Sequence, residues 1–494
     1  MQKRLLVFSI GVACLAALSA SSMVTSFAKT GIRTSEWSKW MNFQRIAQRH
    51  GKLGAGSFVP GSSGLVSAAP GPLAGFPTPS PVILGGFDDP LEGMHYYAVV
   101  IGDNSGKVWV VNHWNGLSSS FSTGTAPIQS TASTSQARNE IYVGTTEGVV
   151  YRLKATWSQG TFMLTQIGRY PATGTLGAPI KGPMLLVETP VNQFAEVYFA
   201  AGNNIYGVKA PYTNPMALSS LWPPRPAASE DEVFLGGVTM RLDPSEITEP
   251  FPYSTGSSDL LYVCSDTPSH TGGRLYAIRR GLQMIGSDTS GWPGPGTIRW
   301  SEPIGGGVST PLAVPEISSQ SVAIHHVMFN GTTGLWDHKV SWFYDQEGGA
   351  PEGVVLNSYT SYFPAWSSLA MGNNLAHVYV NGADTRLYKV SSSGVINNTP
   401  PLGGFGTGDP SHQLGYCTPV ITSYGSGGSS ERILVGANHI GPVGGGVQMW
   451  DGSSTSTSSL LSLLDTQFES SLCAQVPSKW FAVTSSGDVY RLGP

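Results

Sequence analysis

Three histidines lie close enough in this sequence to suggest a metal site: the adjacent pair His325-His326, and His338. Imidazole is a common ligand for zinc and other transition metals. In a strand, however, neighbouring side chains point to opposite faces, so His325 and His326 are expected to part rather than share an ion. Carboxylates gather at Asp88-Asp89 and again at Asp243, Glu246 and Glu249. Such oxygens suit calcium, but the spacing matches no calcium loop, and solvated loop carboxylates are expected. The cysteines are Cys14, Cys264, Cys417 and Cys473. Cys417-Thr418-Pro419-Val420 aligns with Cys473-Ala474-Gln475-Val476, which sets both thiols at equivalent inner-strand positions of neighbouring repeats. Two small buried side chains, a bridge and a ligand pair all fit that alignment.

The sequence contains no Gly-x-Ser-x-Gly elbow, no phosphate-binding loop, no His-Glu-x-x-His and no Cys-x-x-Cys. It therefore offers no catalytic residue and no metal-ligand set, and it leaves cofactor-binding residues unassigned. Only 12% of residues are charged, the net charge is −4, and no basic run follows the first few residues. Electrostatic capture of nucleic acid is excluded on that ground. Asn330-Gly331-Thr332 and Asn397-Asn398-Thr399 are glycosylation sequons, meaningful only in a eukaryotic secretory route.

The elements that must position any site follow from composition and repetition. The chain has 494 residues, with 62 Gly and 35 Pro beside 40% hydrophobic residues. That combination calls for an apolar core built from short strands and many tight turns. At the N-terminus, Lys3 and Arg4 precede an apolar run from Leu5 to Leu18, the pattern of a signal peptide over residues 1–28 and too short a run to cross a bilayer. Cleavage there removes Cys14 and leaves three cysteines, so no fully paired disulfide framework is expected. Residues 29–78 read as a short helix, capped at Thr34 or Ser35 and running to about His50, then a Gly/Ser/Pro-rich linker.

From about residue 80 a unit recurs: an apolar strand, a turn, and a strand with an aromatic near its centre. Ile141-Tyr142-Val143-Gly144 turns through Thr145-Thr146-Glu147-Gly148 into Val149-Val150-Tyr151-Arg152-Leu153. Eight copies place aromatics at Trp109, Tyr151, Tyr206, Tyr276, Trp342, Tyr388, Trp450 and Tyr490. Their intervals run from 40 residues (Trp450 to Tyr490) to 70 (Tyr206 to Tyr276), a four-stranded propeller blade with loop insertions. A Pro-led segment precedes most copies, as in Ala126-Pro127, Gly182-Pro183, Thr310-Pro311, Phe363-Pro364 and Thr418-Pro419. Proline is tolerated where a strand begins, so these are expected to open the innermost strands. The last copy ends without an outer strand, and a strand from residues 51–78 is expected to supply it and close the ring.

The segment Glu140 to Leu153, together with Tyr276-Ala277-Ile278 and Thr310-Pro311-Leu312, resembles the pyrroloquinoline-quinone-type repeat. The resemblance implies an all-β, eight-bladed propeller of four-stranded antiparallel blades over residues 79–494. It does not carry the quinone across, because the paired cysteines of the quinoprotein dehydrogenases have no counterpart here. No cofactor is expected. The reading is an exported propeller, secreted, periplasmic or at the cell surface, without a transmembrane span in the mature chain. It is taken as a monomer or part of an envelope complex. Long loops at 210–255, 281–297 and 344–358 are expected to bind a protein or glycan partner without catalysis. A quinone-dependent oxidoreductase and a polysaccharide-acting enzyme are the alternatives.

Overall fold

The computed structural model describes residues 52–53 and, between 63 and 493, all but 75–77, 90–93, 136, 159, 189–193, 214–217, 242–259, 281–295, 308, 315–320, 345–350, 362–366, 373–376, 383, 385, 392, 400–416, 425–429, 438–443, 465–466, 469 and 477–478. The signal-peptide and N-terminal helix expectations lie outside these residues. Among the described residues every regular element is a strand, and no helix is long and apolar enough to cross a membrane.

The strands form eight sheets in chain order, each of the eight repeat hairpins supplying the middle of one. The first comprises Val82–Asp89, Met94–Gly102, Lys107–Asn112 and Ser118–Ser122; the second, Ser133–Ser135, Glu140–Gly144, Val150–Ser158 and Thr161–Tyr170. The third runs from Leu185–Glu188 to Ser219–Pro226. In the fourth, Val233–Phe234 and Thr239–Arg241 both pair with Leu260–Asp266, followed by Gly273–Arg279 and Ile298–Gly305. The fifth holds Leu312–Val314, Ser321–Asn330, Leu335–Tyr344 and Pro351–Ser361, and the sixth runs from Ala370–Met371 to Gly394–Asn398. The seventh runs from Val420–Tyr424 to Thr457–Leu464, with Lys52–Leu53 parallel to its first strand. The last joins Cys473–Val476, Lys479–Val483 and Val489–Leu492 to Gly64–Ser67, which pairs antiparallel as the outer strand. Short consecutive antiparallel sheets of this kind make the fold an all-β propeller.

A belt of small hydroxyl residues ties the inner strands together. The backbone N–H of Thr310 donates to Ser368 Oγ (2.8 Å), that of Ser368 to Thr418 Oγ1 (3.0 Å), that of Thr418 to Ser471 Oγ (3.0 Å), and that of Ser471 to Ser80 Oγ (3.0 Å). Ser80 N–H continues to Thr131 Oγ1 (2.8 Å), and Gly237 N–H donates to Thr310 Oγ1 (2.9 Å). Between them Gly182 and Gly237 hold the same place, where backbones approach too closely for a side chain: a Cβ on Gly182 would lie 2.3 Å from Gly236 O. Each hydroxyl is buried, so the bonds supply partners that water cannot. Gly182-Pro183, Thr310-Pro311 and Thr418-Pro419 do lead inner strands. Ala126-Pro127 does not: it sits in the connection ahead of Ser133–Ser135, and Phe363-Pro364 lies outside the described residues.

The glycine that closes several second strands has a packing reason. A Cβ on Gly102 would lie 2.2 Å from Ile128 Cγ2, and one on Gly144 would lie 2.5 Å from Ile180 Cγ2. Each site admits an isoleucine from the connection to the following sheet, so strand and connection interlock. The repeat aromatics are split in use: Tyr276, Tyr388 and Trp450 are buried, while Tyr151 is half-buried and donates through its hydroxyl to Thr123 O of the preceding connection (2.8 Å).

Candidate functional site

The propeller has two faces. On one, the second and third strands of each sheet turn; on the other, inner strands end and second strands begin. The second face carries ionic clips between sheets. Arg152 grips Glu140 with both ends of its fork, Nε to Oε2 at 3.0 Å and Nη2 to Oε1 at 2.9 Å, and its Nη1 reaches Pro211 O of the third sheet (2.8 Å). Arg138 pairs with Glu140 (3.1 Å) and with Glu188, and its guanidinium lies 4.1 Å from the Tyr212 ring. Burial works against the Glu140 carboxylate, but the Arg152 bonds and the Arg138 charge outweigh it and hold its pKa below the ordinary value. Burial raises Glu188 despite Arg138. Arg280 clips to Glu196 (2.8 Å), and His377 and Lys389 meet at Glu431 (2.9 and 3.4 Å).

The sequence candidates for metal chemistry come apart. His325 and His338 stack on one side of their hairpin (centroids 5.7 Å apart, 24° between planes), and His326 faces the other. Among the described residues no three metal-ligating groups converge. His326 shares a 2.6 Å hydrogen bond with Ile304 O through Nδ1 and one of 2.8 Å with Ser341 Oγ through Nε2. A carbonyl only accepts, so Nδ1 carries the proton and the neutral ring accepts from Ser341. Burial pushes His325 down to about 4 and His326 down to about 3. The unfolded chain takes up these protons near pH 6.5 while the folded chain resists. The contribution of these two histidines to stability is therefore full above about pH 6.5 and is lost as pH falls toward 4 and 3. Melting temperatures measured from pH 7.5 to 4.5 should decline, and His326→Gln should flatten the decline; an equal slope in the variant refutes the assignment.

The three described cysteines are buried thiols, so no bridge forms. Cys417 and Cys473 are not equivalent, contrary to the alignment. Cys417 precedes belt residue Thr418, where the last sheet has Ser470, whereas Cys473 lies two residues beyond belt residue Ser471. Aligning the cysteines slips the register by three. Cys417 accepts from Gly436 N–H (3.1 Å), and burial pushes its thiol up to about 12. Asp88 and Asp89 lie in the Val82–Asp89 strand, and Asp243, Glu246 and Glu249 fall outside the described residues.

Of the expected binding loops, most of 281–297 is undescribed. The 344–358 stretch is largely the outer strand Pro351–Ser361, because its residues complete the fifth sheet. The 210–255 stretch contains strands Ser219–Pro226, Val233–Phe234 and Thr239–Arg241. One turn within it, residues 228–232, builds a cleft.

That cleft, about 650 Å³, opens on the hairpin face between the 228–232 turn and the 267–274 hairpin tip. Asp231, Thr267, Ser269 and Arg274 are on its walls. Glu232 anchors the turn: its carboxylate accepts from Ser265 Oγ, from Tyr276 OH (2.6 Å) and from Ser229 N–H (3.1 Å). Tyr276 OH in turn accepts from Ala228 N–H (2.8 Å), so the repeat aromatic fixes both ends of the turn. Across the hairpin tip, His270 Nδ1 shares a 2.6 Å hydrogen bond with buried Asp266, whose other oxygen accepts from Thr267 N–H (2.8 Å). His270 has φ 53°, the left-handed region that a non-glycine residue holds only when its surroundings enforce it. The sequence signals for this site were the long 210–255 stretch, which contains the 228–232 turn, and the longer turn of the fourth repeat. Glu232, Asp266 and His270 are tied into structural bonds, while Asp231 is exposed at the mouth, and none of these groups is placed as a nucleophile beside a base.

No family model matches the chain, and no curated protein matches it. Solved structures do. Sqt1 of Saccharomyces cerevisiae is 10% identical, with 84% of this chain and 96% of that one covered at a TM-score of 0.48. The Dos1 propeller is 11% identical (87% and 94%, TM-score 0.46), as is BamB from Moraxella catarrhalis (80% and 91%, TM-score 0.44). Likeness at this level assigns no activity.

Proposed function

We propose that this chain is an exported propeller that binds a protein or glycan partner without catalysis, at the cell envelope or outside the cell. On this reading the eight sheets are the blades of one closed ring, and their hairpins are degenerate repeats of the pyrroloquinoline-quinone type. The observation that carries the binding role is the hairpin-face cleft, whose turn is fixed by Glu232 and Tyr276 and whose polar walls hold no reactive pair. Rigid scaffolds with preformed polar clefts bind with little ordering cost.

Cross-linking pull-down with tagged mature chain, from envelope and secreted fractions, tests the role. A stoichiometric partner whose cross-links fall on 228–232 and 266–274 is expected; cross-links confined elsewhere, or no partner, overturn it.

A further inference from the structure

The fifth sheet has a hairpin that outreaches most others. At the level of the belt, Ser309 Oγ donates to His325 O (2.6 Å), as Ser130 Oγ does to Gly144 O (2.8 Å) in the second sheet. The second sheet turns at once through 145–148, but the fifth runs on to Asn330 before its turn. Five further residues at roughly 3.3 Å each carry it about 17 Å beyond the belt. Its end bears Met328 and Phe329, 39% and 41% exposed, in a structure whose apolar side chains are otherwise mostly buried. Phe329 lies against half-buried Trp336 (5.1 Å between centroids), and Trp336 against His270 of the neighbouring hairpin (4.8 Å).

Ser269, next to His270, lines the polar cleft. An apolar lip and the cleft are thus separated by a single hairpin tip. The cleft has carboxylates at Asp231 and Glu232 against one guanidinium, Arg274, which is itself held by Ser301 Oγ (3.0 Å). Glu230 is exposed beside Asp231, so negative charge prevails at the mouth.

We propose that this surface docks an extended segment of a partner protein, with an apolar side chain on Met328 and Phe329 and a lysine or arginine beside Asp231. The proposal rests on the binding reading above and names the kind of partner it serves. Charge selects a basic residue, and the adjoining lip selects an apolar one, an arrangement in which a few anchors dominate affinity. A sugar ring suits the lip less well, because Trp336 is wedged between Phe329 and His270 rather than presenting an open ring face.

Random dodecapeptides displayed on phage, selected against the full chain, provide the test. The enriched consensus should pair Lys or Arg with an aromatic residue or leucine. Its synthetic peptide should bind about tenfold more weakly to Phe329→Ser and to Asp231→Asn, and more weakly at high salt. Ile396→Ser, an exposed apolar position on the sixth sheet, should leave binding unchanged. Unchanged melting temperatures in the variants show that the loss is local. An acidic consensus, equal affinity in Phe329→Ser and Asp231→Asn, or no enrichment overturns the proposal. If those two variants still capture the partner through 228–232 and 266–274, the binding role stands and the pairing of an apolar anchor with a basic one falls. If the unaltered chain captures no partner either, both readings fall.

Discussion

Arg152→Met is expected to destabilise the folded chain by about 3–5 kcal/mol, the cost of breaking a buried ion pair from one side. Arg152 is fully buried and meets Glu140 through a two-pronged contact. With the guanidinium gone, the Glu140 carboxylate keeps Arg138 and the Tyr142 hydroxyl (2.7 Å) but loses its closest cation. The third-sheet carbonyl of Pro211 loses a donor as well, so the second and third sheets lose one link at that face while Arg138–Glu188 and Ser135–Glu188 still join them. Arg152→Met/Glu140→Gln should recover part of the loss, because an amide needs no counter-charge. Chemical denaturation of the three chains measures it. A single-variant loss below about 1 kcal/mol would mean that the pair is solvated like a surface bridge.

Removing residues 29–78 should lower the melting temperature by about 10 °C, since a few kcal/mol suffice for that in a domain of a few hundred residues. The segment does more than add Gly64–Ser67 to the last sheet. Leu73 N–H donates to Ser485 O (2.8 Å), Asn104 N–H donates to Pro72 O (2.8 Å), and Leu73 and Ala74 are buried between the last and first sheets. Without it, Val489–Leu492 becomes an open edge, and aggregation should accompany the lower melting point. The Ser471–Ser80 bond survives the deletion, which is why a folded chain is still expected. An unchanged melting temperature would show that this strand holds nothing together.

Much of this architecture was legible because it is local. All eight hairpins read from short apolar runs around a turn, the second with an aromatic near its centre, since the middle strands of a sheet bury both faces whatever surrounds them. The need for an N-terminal outer strand followed from a last repeat one strand short. The inner strands were read less well. They are two to five residues long in most sheets, and proline marks their start only where the belt has Thr310, Thr418 or Gly182. Ser80, Thr131, Ser368 and Ser471 look like ordinary polar residues in the sequence. Only placing them side by side, some fifty residues apart along the chain, shows why each must be small and carry a hydroxyl.

The candidate site shows the same division. Sequence alone determined that the Gly-x-Ser-x-Gly elbow, the phosphate-binding loop, His-Glu-x-x-His and Cys-x-x-Cys are not present, because those local motifs, unlike sites assembled from distant residues, have fixed spacing. It also determined the strand–turn–aromatic repeat, and with it Tyr276. Tertiary structure alone decided that Tyr276 would meet Glu232 from the preceding turn, that Asp266 would hold His270 against Trp336 of the next sheet, and that Cys417 and Cys473 would fall out of register. Each of these depends on the loop lengths between sheets and on how neighbouring sheets pack. Neither quantity is written in any single segment of the chain.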